Sequence, residues 1–239
     1  MVHIGVTVDG VLRHGEVEPR RLLVHWLRDD AALDVIALVG CAVATGVGAV
    51  LNTAKVEAGS TVVVIGCGGV GLSIVQGARL AGAARIVAVD LVAAKTDVAL
   101  AVGATDAVDA SAHDAVEAVR DLLPDGADYA FDGIGLTATT EQAIRMLGLG
   151  GAAVLVGLPP AGARASFEPL VLTELDGRIL GSNYGSVRPA RDFPWLVDRY
   201  VEGDLQLDEL VTARRPLEEA GDALEQLATG QVLRTLLIP

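Results

Sequence analysis

"TVVVIGCGGVGLSIVQGARLAGAARIVAVD", residues 61–90, decides the fold. The β-branched run 61–66 reads as a buried strand, 69–83 carries apolar residues at helical spacing, and 85–90 reads as a second strand. Between the first strand and the helix, Gly66, Gly68 and Gly71 stand in G-x-G-x-x-G spacing, with Gly69 and Val70 inside the same turn. Each of the three spaced glycines has a physical task. The first makes the tight turn, the second lets backbone approach a pyrophosphate, and the third lets helix pack on strand. The helix N-terminus then faces the phosphates with its N–H groups and the positive end of its dipole. An ordinary tight strand-to-helix connection has the same outline, so the surrounding residues carry the decision.

Asp90 closes the second strand, 24 residues after Gly66. A dinucleotide site places an acid there to accept hydrogen bonds from the adenosine ribose hydroxyls. The same carboxylate repels a 2′-phosphate, which favours NAD over NADP. Asp is also common as a helix N-cap, the structural alternative at this position. S-adenosylmethionine methyltransferases share a glycine loop and an acid after the second strand. Theirs is usually a denser G-x-G-x-G preceded by an acid, whereas Ile65 precedes Gly66 here.

The alternation continues outward from this unit. Strands are predicted near 106–110 and in 127–135, 152–160 and 177–183, with helices over 93–104, 112–123 and 138–148. Strands separated by helices of about a dozen residues mean βαβ units, so the fold class is α/β with a doubly wound parallel sheet. Two amphipathic helices, 189–205 and 216–230, and a closing strand, 231–239, follow. Residues 1–28 show no clear period and receive no fold assignment. They hold three of the four histidines, His3, His14 and His25, at gaps of 11 and 11.

Composition sets the remaining bounds. The 239 residues are 51% hydrophobic with a mean hydropathy of +0.48, supplied largely by Ala, Val, Leu and Gly spread among helices and strands. No apolar run reaches the roughly 18 residues needed to cross a bilayer, and no secretory signal opens the chain, so a cytoplasmic protein without a membrane partner is expected. Net charge of −13 argues against nucleic acid, whose field would repel it, and favours a small-molecule partner. Cys41 and Cys67 are the only cysteines, which excludes a disulfide framework and a four-cysteine zinc lobe. In "LVGCAVATGVGAVL", 38–51, Cys41 reads by default as a small buried hydrophobe.

With Cys41, the glycine turn, Asp90 and "VGLPP" (156–160) in one order, the sequence resembles the zinc-dependent medium-chain alcohol dehydrogenases from about Asp29 to Pro239. The resemblance implies a Rossmann-type NAD-binding domain over 41–185, a C-terminal segment of the catalytic domain over 186–239, and an unassigned remnant over 1–40. It implies that Cys41 is one ligand of a catalytic zinc and that Thr45 and Val70 pack against the nicotinamide, with Thr45 the catalytic-site member. Lys95 matches a lysine at the adenosine ribose. The backbone around Val156, Ser182 and Tyr184 matches segments that hold the carboxamide, and Arg234 matches an arginine on the pyrophosphate, which a guanidinium binds bidentately.

The reaction so implied is hydride transfer between an alcohol, or a thiol adduct of an aldehyde, and NAD, in a homodimer that pairs edge strands. The family's opening β-rich domain, source of its other zinc ligands and proton relay, has no counterpart in residues 1–28. The zinc site is therefore incomplete, with Cys41 alone. The apolar sides of the helices after residue 189 are expected to be exposed or to recruit another chain. A catalytically silent NAD-binding module is the alternative function. A zinc-free quinone reductase fits less well, because those usually take NADP and lack the cysteine.

Overall fold

The computed structural model describes residues 2–8, 11–17, 34–230 and 232–238. The chain divides into two compact units, Ala42–Val187 and a second made from Met1–Cys41 with Arg188–Pro239.

In the second unit, β1 (Val2–Val8) and β2 (Val11–Val17) form an antiparallel hairpin, with Val8 opposite Val11. The Asp9-Gly10 pair between them in sequence is a strong hairpin signal that the sequence reading passed over. His3 and His14 fall on these strands, whereas His25 and Asp29 lie outside the described residues.

The Ala42–Val187 unit holds a six-stranded, all-parallel sheet in the order β5-β4-β3-β6-β7-β8. Its strands are β3 (Thr61–Ile65), β4 (Arg85–Asp90), β5 (Asp106–Asp109), β6 (Ala127–Asp132), β7 (Leu147–Leu155) and β8 (Arg178–Gly181). Numbered from the first strand of the sheet this is the 3-2-1-4-5-6 order of a doubly wound fold, and the order reverses between β3 and β6. The helices are α1 (Ala42–Gly48), continued by a π-helical turn over Ala49–Ala54, then α2 (Gly69–Leu80), α3 (Ala93–Val102), α4 (Ala115–Leu122), α5 (Thr137–Arg145) and α6 (Pro169–Glu174).

Strand alternation gives the sheet two buried faces. Val63 and Ile65 join Val87, Val89 and Ala130 in a core cluster with Val116 and Val119 of α4 and Ala143 of α5. Val64 turns to the other face, 3.6 Å from where a Cβ on Gly71 of α2 would lie. Phe131 on the central β6 is fully buried, and its truncation to Ala removes about 3–5 kcal/mol.

Element boundaries differ from the sequence reading where capping or glycine decides. Helix α4 begins at Ala115 because the Asp114 carboxylate caps it, accepting from the N–H groups of Val116 and Glu117. Strand β7 begins five residues earlier than expected, at Leu147. A register shift between Ala127 and Tyr129 on β6 accommodates the glycine-rich start of β7, with Gly150 at φ 74°.

In the Met1–Cys41 and Arg188–Pro239 unit, α7 (Pro189–Val201) packs on the 3₁₀ segment Asp34–Gly40 and buries Leu196 and Val197. Strand β9 (Ala213–Pro216), not anticipated, pairs in parallel with β10 (Thr235–Ile238). On α7, Leu196 and Val197 are covered while Trp195 stays exposed. In α8 (Ala220–Ala228), Leu224 and Leu227 are exposed, as expected for that helix.

Candidate functional site

The crevice of a doubly wound sheet lies beyond the strand C-termini where the strand order reverses, here between β3 and β6. The glycine turn leaves β3 at that point. Gly66 sits at φ 92°, in the left-handed region, and a Cβ on it would fall 2.4 Å from Ile134 Cγ1. A Cβ on Gly71 would fall 1.7 Å from the Gly66 carbonyl oxygen, so only glycine allows α2 to start this close to β3. Gly68 differs from both. It is extended at φ −77°, and a Cβ there would meet nothing within 4 Å. Its hydrogen therefore faces open space directly ahead of the first turn of α2, where Gly69, half-buried Val70 and Gly71 present N–H groups that helix geometry leaves without intrahelical acceptors.

Asp90 is tied to this turn. Its Oδ2 accepts a 2.7 Å hydrogen bond from the Cys67 N–H and its Oδ1 a 3.0 Å bond from the Val92 N–H. Helix α3 starts one residue after Val92, so Asp90 does not act as its N-cap. Two backbone donors use half of the four acceptor sites of a carboxylate, and the side chain is half-buried. Lys95 follows in the first turn of α3, also half-buried. Cys67 is packing: burial, reinforced by the Asp90 carboxylate, pushes its thiol up to about 12.

The far wall comes from β6, β7 and the segment after β8. Asp132, 1% exposed, accepts from the N–H groups of Ile134 and Gly135, both at 3.0 Å, and from the hydroxyls of Thr139 at 2.9 Å and Thr140 at 2.7 Å. Its carbonyl accepts from the N–H of Val156 at 3.0 Å and of Gly157 at 2.9 Å. Asp132 and Ile134 are not among the residues expected from the sequence, although in "FDGIG", 131–135, an acid closes β6 as Asp90 closes β4.

Ser182 is buried, with its N–H bonded to the Leu155 carbonyl, and Tyr184 is exposed at φ 53°. Thr45 on α1 is half-buried, its carbonyl 2.7 Å from where a Cβ on Gly185 would lie. The Ala42–Val187 unit therefore contains Thr45, the glycine turn, Asp90, Lys95, Val156, Ser182 and Tyr184.

Cys41 and Arg234 belong to the other unit. Cys41 is exposed, and half-buried Arg234 donates from Nη1 to the Leu233 carbonyl. Among the described residues no group of three or more His, Cys, Asp or Glu could hold a metal ion. A catalytic zinc needs three protein ligands and an open position, which the described residues around Cys41 do not supply.

A family model described as zinc-binding dehydrogenase matches residues 69–202, more than half of the chain. The chain belongs to the zinc-binding dehydrogenase family. Relatives of this chain include the probable S-(hydroxymethyl)glutathione dehydrogenase 1 of Schizosaccharomyces pombe, 40% identical over 210 residues, covering 87% of this chain and 55% of that protein. The class-3 alcohol dehydrogenase of Zea mays is 38% identical over 218 residues, covering 90% of this chain and 57% of its own. Among solved structures, an alcohol dehydrogenase zinc-binding domain protein from Burkholderia ambifaria superposes with a TM-score of 0.84 at 36% identity, covering 87% of this chain and 56% of that one. The chain spans about half the length of the curated relatives it matches. No single helix among the described residues is long and apolar enough to cross a membrane.

Proposed function

We propose that this dehydrogenase chain binds NAD in the Ala42–Val187 unit and serves hydride transfer between NAD and an alcohol or the thiol adduct of an aldehyde. The observation that carries the reading is the joint between Asp90 and the glycine turn, which puts an acid and an open phosphate cradle on one rigid element. Gly66, Gly68, Gly69, Val70 and Gly71 hold the pyrophosphate, Asp90 and Lys95 hold the adenosine ribose, and Thr45, Val156, Ser182 and Tyr184 form the nicotinamide end. The roles of Arg234 on the pyrophosphate and Cys41 on zinc rest on the family resemblance. The names of the relatives support a hydroxymethyl–glutathione type of substrate. A homodimer in the cytoplasm completes the proposal.

Bound in this unit, NAD would supply the hydride acceptor for the carbinol carbon of the substrate. The residues of this chain would orient it: the backbone of the 156 and 182–184 segments would hold the carboxamide, and the Thr45 and Val70 side chains would bound the ring and restrict it to one orientation toward the substrate. The second reading is a catalytically silent NAD-binding module.

Turnover separates the two. Incubating the chain with NAD, glutathione and formaldehyde, or with NAD and primary alcohols, is expected to produce NADH. Saturable NADH binding with no NADH formation from either substrate would establish the silent module instead.

A further inference from the structure

The Tyr184–Ser186 segment is held in an unusual backbone state. Tyr184, Gly185 and Ser186 lie at φ 53°, 62° and 50°, three consecutive left-handed residues of which only one is glycine. Such residues persist only where their surroundings over-determine them. The surroundings here come from the α1 end of the same unit. A Cβ on Gly48 would fall 2.5 Å from the Gly185 carbonyl oxygen, and one on Gly185 would fall 2.5 Å from the Ala44 carbonyl oxygen, so two backbones are in direct contact. Asn52 Nδ2 donates to the Gly185 carbonyl at 3.3 Å.

Thr53 closes the contact. Its Oγ1 lies 2.9 Å from Ser182 Oγ and 2.8 Å from Ser186 Oγ, so one hydroxyl bridges a buried serine and an exposed one across the left-handed segment. It is presented by the π-helical turn Ala49–Ala54, which Lys55 terminates at φ 54°. Turns of this kind are frequent at functional sites.

We propose that Thr53 is a positioning residue: its hydroxyl locks Tyr184–Ser186 against α1 and so sets the wall on which the nicotinamide end of the cofactor rests. The inference rests on the NAD reading above. It assigns Thr53 no contact with the reacting atoms; the effect passes through Ser182, Tyr184 and the adjoining Thr45 carbonyl.

The test compares Thr53→Val, of similar shape without the hydroxyl, with Thr53→Ser, which keeps it. NADH is titrated by fluorescence, and ADP-ribose, which lacks the nicotinamide, by calorimetry. Thr53→Val is expected to weaken NADH about tenfold, the factor that the net worth of one hydrogen bond supplies, while ADP-ribose stays within about twofold; Thr53→Ser matches the wild type. Equal NADH affinity in Thr53→Val and wild type, or equal losses for NADH and ADP-ribose, would overturn the proposal.

Amide exchange of the unliganded chain reads the lock without any cofactor. The 185–187 amides are expected to exchange about tenfold faster in Thr53→Val and unchanged in Thr53→Ser, and equal protection in all three proteins overturns the lock. Wild type that binds neither probe overturns the NAD reading, a result distinct from both of these. Should Thr53→Val fail to fold, Ser186→Ala removes an exposed partner of the same bridge and is expected to shift exchange and NADH affinity in the same direction.

Discussion

The Asp90 carboxylate accepts a 2.7 Å hydrogen bond from the backbone N–H of Cys67, in the middle of the glycine turn. The acid proposed to select the ribose is therefore also a brace for the loop proposed to hold the phosphates. Replacing Asp90 by Asn keeps the volume but removes the charge that excludes a 2′-phosphate. NADH affinity is expected to fall by about tenfold or more and the preference over NADPH to shrink, read by fluorescence titration of both cofactors.

Gly68 and Gly71 give opposite outcomes for the same change. Gly68→Ala places its methyl in open space at an ordinary φ, so the melting temperature stays within about 2 °C while NADH binding weakens at least about tenfold. Gly71→Ala drives a methyl to 1.7 Å from the Gly66 carbonyl oxygen. Backbone must shift, and the expected loss of stability is about 3 kcal/mol, measured by urea denaturation.

The helix–strand alternation from residue 61 onward and the glycine spacing are legible in the sequence, because they follow from local periodicity and turn chemistry. Both appear in the sheet order and in the Gly66–Gly71 turn. Other elements are not legible, for physical reasons. The α1 helix and its π-helical continuation are built of small residues buried nearly all round, so no polar face marks a period. Strand β9, "ARRP", has an alternation that two arginines disguise. The roles of Asp132 and Thr53 depend on partners that fold, not spacing, brings together: Thr53 meets Ser182 across 129 residues of chain.

Asp132 is a buried hub whose loss leaves the N–H groups of Ile134 and Gly135 and the hydroxyl of Thr140 without that acceptor, while the Thr139 hydroxyl keeps the Leu136 carbonyl. Asp132→Ala is expected to cost about 3 kcal/mol in urea denaturation, with Asp132→Asn intermediate because an amide offers only one acceptor oxygen.

Acid stability follows from the ion pairs. Arg85 Nε and Nη2 donate to Asp106 Oδ2 and Oδ1, each at 2.8 Å, and hold the Asp106 carboxyl below its ordinary value; Arg214 does the same to Asp34 in the other unit. A depressed folded-state value means the ionised form is favoured by folding. The contribution is complete above the unfolded carboxylate range and is lost as pH falls through the folded value. Stability is expected to drop below about pH 4, with a shallower slope in Asp106→Asn, followed by circular dichroism across a pH series.

The two thiols separate by burial. Cys41 is exposed, while Cys67 is buried with its thiol pushed up to about 12. A thiol reagent at pH 8 is expected to modify Cys41 alone in the native chain and both cysteines in denaturant, counted by mass spectrometry.

The central claim is that Asp90 and the glycine turn together form an NAD site, and titrating the purified chain with NADH and, separately, NADPH tests it most directly. Saturable binding of NADH with NADPH at least about tenfold weaker is the expected result. Equal binding of both, or binding of neither, would contradict it.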